Sequence, residues 1–170
     1  MDYLLGIYPD ARIMRTHSLY QSTPLFGFIQ ENYPRIKLDV SILMPHARGT
    51  AACECCFSER FHDRLIYRAP YIWEDDFEMM LPKPNFIFSH NAFRGNDINI
   101  INFHPIHIAL NSCGMERYRK LKDKHGLGAV RLKEALKFRN NKSNGVEDFL
   151  RSILDDKNSE FCHFKDRFKL

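Results

Sequence analysis

Four short β-rich runs, each leading directly into residues able to bind or react, constrain this chain more than any other feature of its sequence. Residues 11–15 (Ala-Arg-Ile-Met-Arg), 36–40 (Ile-Lys-Leu-Asp-Val), 64–67 (Arg-Leu-Ile-Tyr) and 98–103 (Ile-Asn-Ile-Ile-Asn-Phe) are bounded by Pro, Gly, Ser or His, as strands are. Between the first two, Ser22 or Thr23 offers a helix cap, Pro24 suits a first turn, and Leu25, Phe28 and Ile29 fall on one face. A strand, helix, strand order predicts an α/β fold with parallel strands. The runs end in Thr16-His17-Ser18, in Ser41, in Arg68-Ala69-Pro70-Tyr71 followed by Trp73-Glu74-Asp75-Asp76, and in His104-Pro105-Ile106-His107. Reactive groups in such folds gather past the C-terminal ends of the strands, so these four exits are the candidate site.

The rest of the chain reads as helix. Asn144 stands three residues before Glu147 in the spacing of a capping box, and Val146, Phe149, Leu150, Ile153 and Leu154 follow helical periodicity. A further helical region runs from Met115 to Phe138, broken by Gly126 and Gly128, so residues 115–170 are expected to be mainly helical. With 170 residues and 44% hydrophobic side chains the chain can bury one core, and a single domain over 1–170 is expected.

Several classes are set aside. The longest apolar runs are a few residues, far short of the roughly 20 that span a bilayer. Met1–Pro9 carries Asp2 and no Lys or Arg, unlike the charged start of a secretory signal, so a cytoplasmic location is expected. Net charge is +4, and residues 115–170 hold 15 Lys and Arg against 9 Asp and Glu. Both signs are mixed along predicted helices, which reads as a solvated face and not as a nucleic-acid surface. The five cysteines include a Cys53-x-Cys55-Cys56 cluster with no second pair of zinc-ligand spacing, so these are expected to be free thiols in a loop.

Among the strand exits, His17 is placed to ligate a metal or move a proton. His104 is presented by an apolar run and fixed by Pro105, which suits a general acid or base. Glu74, Asp75, Asp76 and Glu78 put four carboxylates into five positions beside Trp73 and Tyr71, either as an exposed loop or balanced by cations or metal. Arg68 is available to pair with one of these acids and orient it.

Arg15-Thr-His-Ser-Leu-Tyr-Gln-Ser22, Arg68-Ala-Pro-Tyr-Ile-Trp-Glu-Asp-Asp76 and Asn102-Phe-His-Pro-Ile-His-Ile108 with Asn111, taken in order, resemble the polysaccharide deacetylase superfamily, most closely its WbmS-like branch. The similarity runs from about Tyr8 to Tyr118. It implies a partial or distorted (β/α) barrel with a helical C-terminal region, and metal-dependent hydrolysis of the acetamide of an N-acetylated sugar in bacterial surface polysaccharide metabolism. By this resemblance His17 matches a metal ligand, Arg68, Pro70 and Tyr71 match the groove wall, and His104 matches the acid that protonates the leaving amine. Asp75 and Asp76 are the candidate carboxylates, and Tyr71, Trp73, Glu74 and His107 the candidate substrate contacts. His17 and His104 are expected to open into one cleft.

Two departures from the family pattern matter. Gln21 stands where a second metal-binding His belongs, and no Asp pair precedes His17, where only Tyr3-Leu-Leu-Gly-Ile-Tyr8 is found. The N-terminal part of the barrel is therefore expected to be missing. The site for a divalent ion, zinc or similar, is expected to be weak or incomplete. The rival reading is a non-catalytic remnant that keeps a sugar groove.

Overall fold

The structure, a computed structural model, describes residues 1–45, 53–55, 66–93, 98–126, 128 and 130–170, with backbone alone at 53–55. In chain order the elements are α1 (Asp2–Ile7), β1 (Ile13–Met14), a 3₁₀ turn (His17–Leu19), α2 (Thr23–Asn32), β2 (Leu38–Asp39), β3 (Cys53–Cys55), β4 (Ile66–Arg68) and β5 (Trp73–Glu74). There follow α3 (Asp75–Met80), a 3₁₀ turn (His90–Phe93), β6 (Ile101–Asn102), α4 (Pro105–Leu110) and α5 (Met115–His125). The last elements are α6 (Leu132–Ala135) with a 3₁₀ turn at Leu136–Phe138, α7 (Val146–Leu154) and α8 (Phe164–Arg167). They fall into two compact units, one of Met1–Ile72, Gly95–Ile100 and Cys162–Leu170, the other of Trp73–Arg94 and Ile101–Phe161.

The first unit is built on a four-stranded sheet of order β1-β2-β4-β3. β1, β2 and β4 are parallel, as the strand, helix, strand pattern predicts, while β3 runs antiparallel to β4. The cysteine segment is therefore a strand at Cys53–Cys55 and not a loop; the side chains of Cys53 and Cys55, and Cys56 as a whole, lie outside the described residues. Helix α2 starts as the sequence predicts, with Ser22 Oγ accepting the Leu25 N–H at 3.2 Å and Pro24 in the first turn. Two apolar clusters form on this sheet. Phe26 and Ile29 of α2 pack with Met14, Ile36 and Ile66, whereas Leu38, Val40 and Ala69 meet Ile13, Tyr67, Phe164 and Phe168.

In the second unit β5 and β6 form a parallel pair, Trp73 opposite Ile101 and Glu74 opposite Asn102. Trp73 is the centre of an aromatic core, its ring 4.5 Å from Phe149 and 5.1 Å from Phe103. Val146, Phe149 and Ile153 give α7 its buried face, as the periodicity predicts, whereas Leu150 is only partly buried and Leu154, expected on the same stripe, is exposed. The cap differs from the predicted Asn144–Glu147 box. Gly145 is the N-cap, its N–H donates to Asp148 Oδ2 at 3.2 Å, and Asn111 Oδ1, from the end of α4, accepts the N–H groups of Glu147 (3.1 Å) and Asp148 (3.3 Å). A side chain built at Gly145 would run into the Asn111 backbone carbonyl and would lie 2.6 Å from its Oδ1.

The α/β class with parallel strands is thus present, but no closed barrel is formed among the described residues. Each strand is only two or three residues long, so the hydrogen-bonded ladders are too short to wrap a cylinder. Among the described residues no helix is long and apolar enough to cross a membrane.

Candidate functional site

Each unit carries its own polar cluster at the C-terminal ends of parallel strands. In the first, the register sets Asp39 beside Arg68, and Arg68 Nη2 lies 2.9 Å from Asp39 Oδ2 with Nε donating to the same oxygen at 2.9 Å. The Asp39 carboxylate is fully buried, so the guanidinium supplies the charge that water cannot. Arg68 also donates to Gln21 Oε1 and lies over the Phe26 ring at 4.5 Å. Gln21 Nε2 donates to Ser41 O (3.0 Å), Thr16 N–H to Ser41 Oγ (2.8 Å), and Ser41 N–H to Asp39 Oδ1 (3.0 Å). The partner found for Arg68 is therefore Asp39, which the sequence reading had not singled out. In the alternating run Ile36-Lys37-Leu38-Asp39-Val40 it stands at a polar position like Lys37, which carries no signal of burial. His17 begins the exposed 3₁₀ turn that follows β1, with Ser18 and Leu19 both at positive φ. Tyr71 is buried, held by a bridge to Leu43, with the Arg15 guanidinium 5.5 Å from its ring centre.

The second cluster stands where β5 and β6 end. Glu74 accepts from its register partner Asn102 at 2.8 Å. Asp75 opens α3 fully buried rather than in an exposed loop, and its carboxylate takes three N–H groups: His104 backbone (2.7 Å), Asp76 backbone (2.9 Å) and His104 Nδ1 (2.6 Å). The residue before a proline is driven to extended backbone, so His104 (φ −96°, ψ 126°) ends the β6 segment, caps α4, and presents its ring at the junction. Its Nδ1 is 3.8 Å from Asp76 Oδ2 and its Nε2 is 4.0 Å from Glu74 Oε1. Burial disfavours the imidazolium, but the Asp75 hydrogen bond and the charges of Asp75, Asp76 and Glu74 outweigh it and raise the His104 pKa above the ordinary histidine value. His107, on α4, is buried with Nε2 2.7 Å from Asp76 Oδ1 and Nδ1 3.1 Å from Ser112 Oγ. Ser112 carries no signal in the sequence.

Asp75, Asp76 and His104 each offer one ligand atom, all within 4.8 Å of one another. Two carboxylates and an imidazole are a donor set that suits a divalent ion, and three protein ligands are the usual number in catalytic zinc sites. The structure thus gathers Glu74, Asp75, Asp76, His104 and His107 in one unit. It places His17, Arg68 and Tyr71 in the other. Trp73 lies in the aromatic core under the cluster.

Comparison with known proteins follows the same direction. The family model for WbmS-like polysaccharide deacetylases matches residues 1–122. Among solved structures, the chain resembles a Bordetella bronchiseptica protein assigned as a polysaccharide deacetylase involved in O-antigen biosynthesis, with 28% identity and a TM-score of 0.71 over 90% of this chain. The match covers 59% of that protein's chain. No curated protein sequence matches.

Proposed function

Because the chain belongs to the WbmS-like polysaccharide deacetylase family, we propose that it hydrolyses the acetamide of an N-acetylated sugar destined for a bacterial surface polysaccharide. The observation that carries this reading is the Asp75–His104 contact of 2.6 Å with the Asp76 carboxylate 3.8 Å away. Amide hydrolysis needs a group to take a proton from water and a group to give one to the departing nitrogen. Asp75, saturated by N–H donors, fixes the His104 ring through Nδ1. Nε2 is then the nitrogen left to protonate the amine, and the raised pKa keeps its proton available near neutral pH. Asp76, with a side chain 38% exposed, is the carboxylate able to meet water.

A divalent ion bound here would polarise the acetyl carbonyl and lower the pKa of its water. Asp75, Asp76 and His104 would hold it only by giving up the Asp75–His104 hydrogen bond, so the acid role of His104 belongs to the site without the ion. His17 is proposed as a metal ligand on the family match alone. Within the first unit, Arg68, held by Asp39, and Tyr71 are proposed as a groove wall; within the second, Glu74 is proposed to meet the sugar and Trp73 to support it.

The test is acetate release from an N-acetylglucosamine oligomer, with and without zinc, cobalt or nickel, by the chain and by His104→Ala and Asp75→Asn. Release that falls at least 100-fold in His104→Ala and about 10-fold or more in Asp75→Asn supports the assignment. Release unaffected by either variant refutes it, and no release under any condition favours the remnant that keeps only a sugar groove.

A further inference from the structure

The parallel pairing of β5 and β6 sets Glu74 opposite Asn102. Trp73 and Phe103 turn into the aromatic core, so the alternation of extended backbone brings Glu74, Asn102 and His104 out on the opposite face. There Asn102 Nδ2 donates to Glu74 Oε1 at 2.8 Å, and the same oxygen lies 4.0 Å from His104 Nε2. The two distances differ in kind. At 2.8 Å donor and acceptor are hydrogen-bonded, whereas 4.0 Å is beyond hydrogen-bond reach and leaves only the attraction between charges. On the other side of the ring Asp75 Oδ1 holds Nδ1 at 2.6 Å, which fixes the direction in which Nε2 points. The Glu74 side chain is only 10% exposed, and a carboxylate with so little water gains from a bond to a neighbouring imidazole N–H. Such a bond would tie up the one ring hydrogen that the proposed reaction needs.

We infer that Asn102 is a positioning residue: it pins Glu74 Oε1 just out of reach of His104 Nε2, and so keeps the Nε2 hydrogen for the departing amine. This rests on the reading of His104 as the acid, and it concerns the cluster with its Asp75–His104 hydrogen bond in place. In this role Asn102 acts only through Glu74. An aliphatic side chain at 102 would fill the same place between the strands but could not hold the carboxylate back.

The experiment compares Asn102→Ala and Asn102→Leu with the wild-type chain in acetate release from an N-acetylglucosamine oligomer, with folding checked by far-UV circular dichroism. Released by Asn102, Glu74 closes on Nε2, and kcat is expected to fall about 10-fold to 100-fold, the worth of a hydrogen bond to a charged group, with KM within about 3-fold of wild type. Adding Glu74→Leu is expected to bring kcat to within about 3-fold of the Glu74→Leu single variant, since no carboxylate is left to close. Magnetic resonance of the chain with isotope-labelled histidines reads the same contact without turnover. A downfield, exchange-protected Nε2–H of His104 is expected in Asn102→Ala and Asn102→Leu, and none in the wild type or the double variants. A folded single variant with wild-type kcat, or a loss that Glu74→Leu does not relieve, overturns the inference and leaves the proposed function standing. If the wild-type chain releases no acetate, the proposed function fails by itself and the spectra decide: a protected Nε2–H that appears in the single variants and vanishes in the double ones supports the pinning of Glu74, and its absence from the single variants overturns it.

Discussion

Replacing Asn111 by alanine is the most direct test of how the second unit is held together. The residue ends α4 in left-handed conformation (φ 45°, ψ 49°) and is 3% exposed. Its side chain makes four hydrogen bonds: Oδ1 accepts from Glu147 and Asp148 N–H, and Nδ2 donates to Asp148 Oδ2 (2.8 Å) and Asn140 O (3.3 Å). Alanine removes the cap on α7, worth about 1 kcal/mol. It also strands buried backbone partners, at about 1–3 kcal/mol. Alanine further keeps an unfavourable positive φ, which costs about 1 kcal/mol more than glycine at the same place. Asn111→Ala is therefore expected to lose about 3–5 kcal/mol, and Asn111→Gly about 2–4 kcal/mol. Urea unfolding followed by the fluorescence of Trp73, the single tryptophan, reads the loss directly, since its ring packs 4.5 Å from Phe149 on α7. An alanine variant within 1 kcal/mol of wild type, or a glycine variant less stable than the alanine one, refutes the reasoning.

Two further outcomes are expected. Arg68→Ala leaves the buried Asp39 carboxylate without its cation and should cost about 3–5 kcal/mol in urea unfolding, much of it regained in the Arg68→Ala, Asp39→Asn double variant; equal losses in single and double variants count against the pairing. Glu147 is held below the ordinary glutamate pKa, first by its Arg151 hydrogen bond and then by Arg139. Its stabilisation is present above the unfolded value of about 4.3 and is lost as pH falls through the lower folded value. Glu147→Gln should therefore be about 1 kcal/mol less stable than wild type at neutral pH, and the gap should close under acid; a gap that widens on acidification contradicts the sign.

What the sequence disclosed was local. Ser22 before Pro24 announced α2, and the spacing of Val146, Phe149 and Ile153 announced the buried face of α7, because a cap and a periodicity are complete within one turn or two. His104 was legible for the same reason, as a ring delivered by an apolar run and fixed by Pro105. The pairings were not legible. Asp75 meets His104 from 29 positions away, Asp39 meets Arg68 from the same separation, and the true cap of α7 reaches it from Asn111, 36 positions before Glu147. Register between strands and helices decides such contacts, and no single segment encodes it. The antiparallel strand at Cys53–Cys55 is not legible because Cys53-Glu54-Cys55 is too short an alternation to mark a strand.

The close approach of Gly145 to Asn111 has a bearing on how substitution at this position should be understood. Gly145 has an extended backbone (φ −142°, ψ −165°) that any amino acid adopts without strain. Judged by dihedral angles alone, the position looks open to exchange. It is closed by its neighbour: the carbonyl and amide oxygen of Asn111 already fill the volume a β-carbon needs. The two positions therefore form one unit of inheritance, in which glycine at 145 is required only while the chain at 111 turns back in its left-handed bend. A relative that ended α4 differently would be released from the glycine as well. Drift at the two sites should thus be correlated, although neither residue belongs to the acid and imidazole cluster.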